Sequence, residues 1–193
     1  MNDISKNFGE SGAVPQKNPL EHPLAAQIIE ECTNLLLEKS AEGTRLIEFA
    51  RQHSIKINVI TGRESSFFTH EKESTTLVCP ANTKAVDLDV MAGNLGMGLR
   101  ECESGYNGVP LSTLHLPQNE KDWANYRKTL DSLIAMCKIV HELSVANNNT
   151  KLIDLVKKLG HYKLYEGVLS GANDEDLGKI LIDTVNKTRT KGD

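Results

Sequence analysis

The residues best placed for chemistry lie between Asp87 and Glu103, in the stretch DLDVMAGNLGMGLRECE. Asp87, Asp89, Glu101 and Glu103 supply four carboxylates, the donor type that a hard cation takes; Asp87 and Asp89 equally suit the positive end of a helix that starts beside them. A second candidate is His141-Glu142 in VHELS, half of the two-histidine zinc motif. Val145 stands where its second imidazole must be, so the pair reads as a solvated helical pair. GNLGMG, Gly93 to Gly98, has neither glycine spacing of a phosphate-binding loop, and no lysine follows in register. Cys32, Cys79, Cys102 and Cys137 are widely separated and form no CxxC pair, which makes them buried thiols rather than a zinc or redox site. The remaining histidines are scattered as surface or structural residues.

The elements that must position these groups follow from periodicity. Leu24, Ile28, Ile29, Cys32, Leu35 and Leu36 repeat at three and four, predicting a helix, and a second helix is predicted over Ala41 to His53. KINVITG, the pair Phe67-Phe68 and TTLVC carry the β-branched and aromatic content of strands and predict a small antiparallel sheet closed by Pro80. Asn82 or Thr83 then caps a helix with Leu88, Met91, Leu95, Leu99 and Cys102 on one face, ending at Ser104-Gly105. A long helix from about Asn119 to Ala146 follows, striped by Trp123, Tyr126, Leu130, Leu133, Ile134, Cys137 and Val140. Three shorter helices close the chain, one stopped by Gly160 and the last capped by Asn173.

The fold class is therefore α+β and mainly helical. Residues 1–18 read as a disordered tail, 19–188 as one globular domain and 189–193 as a frayed end. The 193 residues carry a net charge of −4, and Lys and Arg are not clustered as nucleic-acid binding requires. No apolar run approaches a membrane span and the N-terminus lacks a secretory layout, so a cytoplasmic protein is expected.

Within this frame LGMGLREC, Leu95 to Cys102, resembles the L-A-H-E-L-R-H-A segment of a bacterial family of metallopeptidase-like proteins of unknown function, matching at Leu95, Leu99 and Arg100. YRKTLDSLIAMCKIVHEL, Tyr126 to Leu143, is similar to that family's R-x-x-E-A-D-A helix, with Arg127 kept and Leu130 in place of its Glu. The resemblance covers roughly residues 23–146. It implies a zincin-like layout, with a small antiparallel sheet on an active-site-type helix and a long second helix behind it.

It also puts Met97 where the first zinc histidine would be, Gly98 at the catalytic Glu and Glu101 at the second histidine. A thioether is a poor ligand for Zn²⁺, glycine offers no base, and one carboxylate does not hold the metal alone. The implied protein has no catalytic residue, no metal and no cofactor, and acts in binding or regulation of a protein or peptide partner. Its groove residues are Asn94, Met97, Gly98, Glu101, Arg127 and His141. Two alternatives stay open. One is an active metal-dependent hydrolase whose ligands are non-standard, such as Glu101 with His115 or His141. The other is a helical interaction module, or effector, with no ancestral active site. A further reading takes the glycines as a tightly packed core helix, because each costs about 0.5–1 kcal/mol against Ala unless another backbone approaches closely.

Overall fold

The computed structural model describes residues 21–108 and 118–189. The helices are α1 (Ala25–Lys39), α2 (Ala41–Gln52), α3 (Leu88–Tyr106), α4 (Gln118–Ala146), α5 (Lys151–Lys158), α6 (Tyr162–Leu169) and α7 (Asp174–Arg189), and the strands are β1 (Lys56–Gly62), β2 (Ser66–Glu71) and β3 (Ser74–Pro80). The α+β, mainly helical class follows directly. The expected tail over residues 1–18, and the chain beyond Arg189, lie outside the described residues.

The sheet corrects the expectation of a small antiparallel sheet. Its order is β1-β3-β2, with β1 parallel to β3 and β2 antiparallel to it. The most apolar strand takes the centre: Thr75, Leu77 and Cys79 are fully buried on one face, and Thr76 and Val78 are buried on the other. Lys56 and Asn58 on β1 stay exposed, and β2 loses register between Phe68 and Glu71, so both suit edges. Leaving β1, the chain must pass β3 to reach β2, a gap of two interstrand spacings or about 9.6 Å, which Arg63–Ser65 cross with bends at Arg63 and Glu64. Gly62 makes that passage, since a Cβ there would lie 2.2 Å from Val78 Cγ1. Alternation along a strand fixes which residues face the core; it does not name the neighbouring strand.

Helix α3 is the centre of the packing, in contact with α1, α2, α4, β2 and β3. Met91, Leu95, Leu99 and Cys102 have no exposed surface, as their spacing predicts. The N-cap differs from expectation. Asn82 caps only a short 3₁₀ turn (Thr83–Ala85), accepting from Lys84 N, while Asp87 Oδ1 accepts from Val90 N at 3.3 Å and starts α3. Asp87 also pairs with Lys151, and Asp89 accepts from Asn147 Nδ2 at 3.2 Å. Both acids thus hold the positive end of the helix dipole and tie it to the residues that follow α4.

Gly96 and Gly98 of α3 sit at close approaches. A Cβ on Gly96 would lie 2.1 Å from Ile139 Cδ1 of α4, and one on Gly98 would lie 2.0 Å from Thr75 Oγ1 of β3. Gly93 has nothing within 4 Å of its Cβ position. The helix is therefore pressed between sheet and α4, and Gly96 and Gly98 are what permit it.

Candidate functional site

His141 and Glu142 form no solvated pair. Ser40 is the N-cap of α2, its Oγ accepting from Gly43 N at 2.8 Å, and Glu142 reaches in from α4 to accept from Ser40 Oγ and, at 3.2 Å, from Glu42 N. An exposed helix start would leave these donors to water; here a carboxylate from another helix takes them. His141 Nδ1 meets Tyr165 Oη of α6 at 3.0 Å. Both side chains hold helices together.

Farther toward the start of α4 lies a chain of alternating charge. Arg45 Nη2 pairs with Glu42 Oε1 at 2.8 Å, Arg45 and Arg100 both bind Glu103, and Arg100 Nη2 lies 3.5 Å from Asp131 Oδ2. Arg127 Nε then bonds Asp131 Oδ1 at 3.0 Å, and its Nη2 bonds Asp174 Oδ2 at 2.7 Å. Three arginines and four carboxylates thus connect α2, α3, α4 and α7. Burial alone would raise the Glu103 carboxyl, but hydrogen bonds from Arg45 and Arg100 outweigh it and hold the group below its ordinary 4.5.

Beside this chain, Lys128 Nζ of α4 lies 2.9 Å from Glu101 Oε2. Burial lifts the Glu101 carboxyl above its ordinary range, and Lys128 opposes that lift without cancelling it. Lys128 is the residue that the sequence reading missed at this place, because a pair made across two helices leaves no linear spacing to read.

Of the six expected groove residues, four share α3. Gly98 is buried against Thr75 and Phe67, Met97 packs half-buried on the core, and Glu101 is neutralised by Lys128. Asn94 is half-buried with its amide nitrogen unpartnered, as is the hydroxyl of Thr75. Arg127 joins the charge chain. His141 does not join them: 14 residues past Arg127, at 1.5 Å per residue, it lies about 21 Å along α4. For the same reason Glu101, paired to Lys128, cannot share a metal ion with His141, since ligand bonds are only about 2–2.6 Å long. His115, its other suggested partner, lies outside the described residues. Among the described residues no three His, Cys, Asp or Glu side chains gather as ligands.

Comparison with protein-family models, with curated proteins and with solved structures finds no match.

The four thiols are buried, and burial pushes Cys32, Cys102 and Cys137 up to about 12 and Cys79 to about 11, far from a nucleophile's range. His22 is also structural. Its Nδ1 accepts from Leu24 N at 3.2 Å, so the ring proton sits on Nε2 and is donated to Pro80 O at 3.2 Å. No helix among the described residues is long and apolar enough to cross a membrane.

Proposed function

We propose that the chain is a non-catalytic domain of metallopeptidase-like layout that binds a protein or peptide partner between β2 and the α3 face of Asn94, Met97 and Glu101. The observation that supports it most is the state of Gly98 and Glu101. The position of the general base has no room for a side chain, and the position of the second imidazole is a carboxylate already neutralised by Lys128. A peptidase site needs both positions free to hold metal and water. What remains is an antiparallel edge strand lying over a helix, the arrangement in which extended peptides add to a sheet. Among the described residues β2 pairs with β3 alone, which leaves its other edge open to a guest strand.

The domain acts in the cytoplasm on this reading, where unpaired thiols stay reduced. A peptide selection against the full chain tests the site: binders are expected to lose affinity at least tenfold on Asn94→Arg. Selected peptides indifferent to both Asn94→Arg and Met97→Arg would move binding elsewhere and favour an interaction module with no ancestral groove.

A further inference from the structure

Helix α3 ends on Asn107-Gly108, the one Asn-Gly pair in the sequence. The side-chain amide carbon of an asparagine is open to attack by the backbone nitrogen of the next residue. That attack is fastest where the next residue has no Cβ to crowd the approach.

The structure leaves this route clear. Asn107 and Gly108 are both exposed, and Gly108 stands at φ +93° with nothing within 4 Å of its Cβ position. Among the described residues no backbone acceptor takes the Gly108 N–H, and no hydrogen bond holds the Asn107 side chain. The nitrogen reaches the amide carbon once the Asn107 ψ, at 6°, swings to bring Gly108 N over the side chain. That rotation keeps the bond from Asn107 N to Glu103 O at 2.9 Å, because the bond lies on the helix side of the turning Cα–C axis.

Other asparagines are held. Asn149 Oδ1 accepts from Lys151 N at 2.9 Å, and Asn173 Oδ1 accepts from Asp176 N at 3.0 Å while its Nδ2 donates to Asp176 Oδ2. These side-chain turns fix the amide and give it work to do.

We infer that Asn107 is a self-modification site, at which Gly108 N attacks Asn107 Cγ. The N–Cγ bond forms as Cγ–Nδ2 breaks, and the proton lost from Gly108 N is made good on the departing group, which leaves as ammonia. Water, the one co-reactant, then opens the five-membered imide at either carbonyl. One opening gives aspartate; the other gives isoaspartate, whose main chain runs through the former side chain and is one methylene longer. Either product adds a negative charge at the end of α3. This chemistry is independent of the β2–α3 groove.

Ageing the full chain in mildly alkaline buffer tests it, with mass spectrometry of the tryptic peptide Glu101–Lys121 as the readout. Exchange of NH2 for OH at Asn107 is expected, as two chromatographic products from the two openings of the imide. Its rate should lie within tenfold of that in the urea-denatured chain, and Asn149 and Asn173 should convert more slowly than Asn107. Gly108→Ala should slow the exchange at least tenfold. Asn107→Gln, which leaves Gly108 in place, should remove the imide-forming side chain and the product doublet with it. Both positions are exposed, so circular dichroism should show unchanged helix content in each variant. Conversion at Asn107 more than tenfold slower in the folded chain than in the denatured one overturns the inference. So does conversion spread evenly over the asparagines, or conversion indifferent to Gly108→Ala.

Discussion

Arg100 and Arg127, on successive long helices, meet on one carboxylate: Asp131 receives Arg127 Nε at 3.0 Å on Oδ1 and Arg100 Nη2 at 3.5 Å on Oδ2. These are the two arginines on which the metallopeptidase resemblance leaned. In this chain they serve to lock α3 against α4, and Asp131 is the residue they share. Its side chain is 9% exposed. Asp131→Asn should therefore destabilise the fold by about 1–3 kcal/mol, since it removes the charge from a buried acceptor that two guanidiniums use. Urea unfolding measures it; a loss under about 0.5 kcal/mol would show that the shared carboxylate holds nothing.

The α3 glycines should respond in opposite directions. Gly98→Ala places a methyl group 2.0 Å from Thr75 Oγ1 and should cost about 1–3 kcal/mol, part of it recovered when Thr75→Ala removes that hydroxyl. Gly93→Ala meets nothing and should stabilise by about 0.5–1 kcal/mol through helix propensity. Thermal melts of the three variants and the double variant check the order.

Glu142 acts as a cap for a helix to which it does not belong. Replacing it by Ala should cost about 1–2 kcal/mol and raise amide hydrogen exchange at Glu42. Exchange unchanged in that turn would mean that Ser40 caps α2 unaided.

Acid unfolding should show two separate limbs. Burial lowers His161 below its ordinary 6.5, so the folded state resists the proton that the unfolded chain accepts. The stability this group supports is complete above pH 6.5 and declines as pH falls below it. Glu103 is held below 4.5 by its arginines, so its contribution is complete above pH 4.5 and is lost as pH falls through the lowered value. Glu101, raised by burial, works in reverse: its cost is full above its own folded pKa and is relieved as pH falls toward 4.5. His161→Gln should flatten the first limb and Glu103→Gln the second, read as Tm against pH.

The helices were legible because burial imposes a period: Met91, Leu95, Leu99 and Cys102 are spaced as one face and are all fully buried. The parallel pairing of β1 with β3 was not, because residues 63–73 contain a strand of their own and pairing depends on which strand is buried on both faces. The ion pairs divide the same way. Arg127 and Asp131 are four residues apart and could have been read as a helical pair. Glu101–Lys128, Arg45–Glu103 and Arg127–Asp174 cross between elements, and nothing in linear spacing announces them. Glu142 misled in another way, since half a zinc motif in sequence is a helix cap in space.

The proposal that α3 carries no metal-dependent chemistry is tested most directly by the metal content of the protein purified without chelators. On the proposed reading, with Gly98 at the base position and Glu101 held by Lys128, zinc is expected well below one ion per chain, unchanged by Glu101→Ala. Stoichiometric zinc that disappears in Glu101→Ala would contradict it.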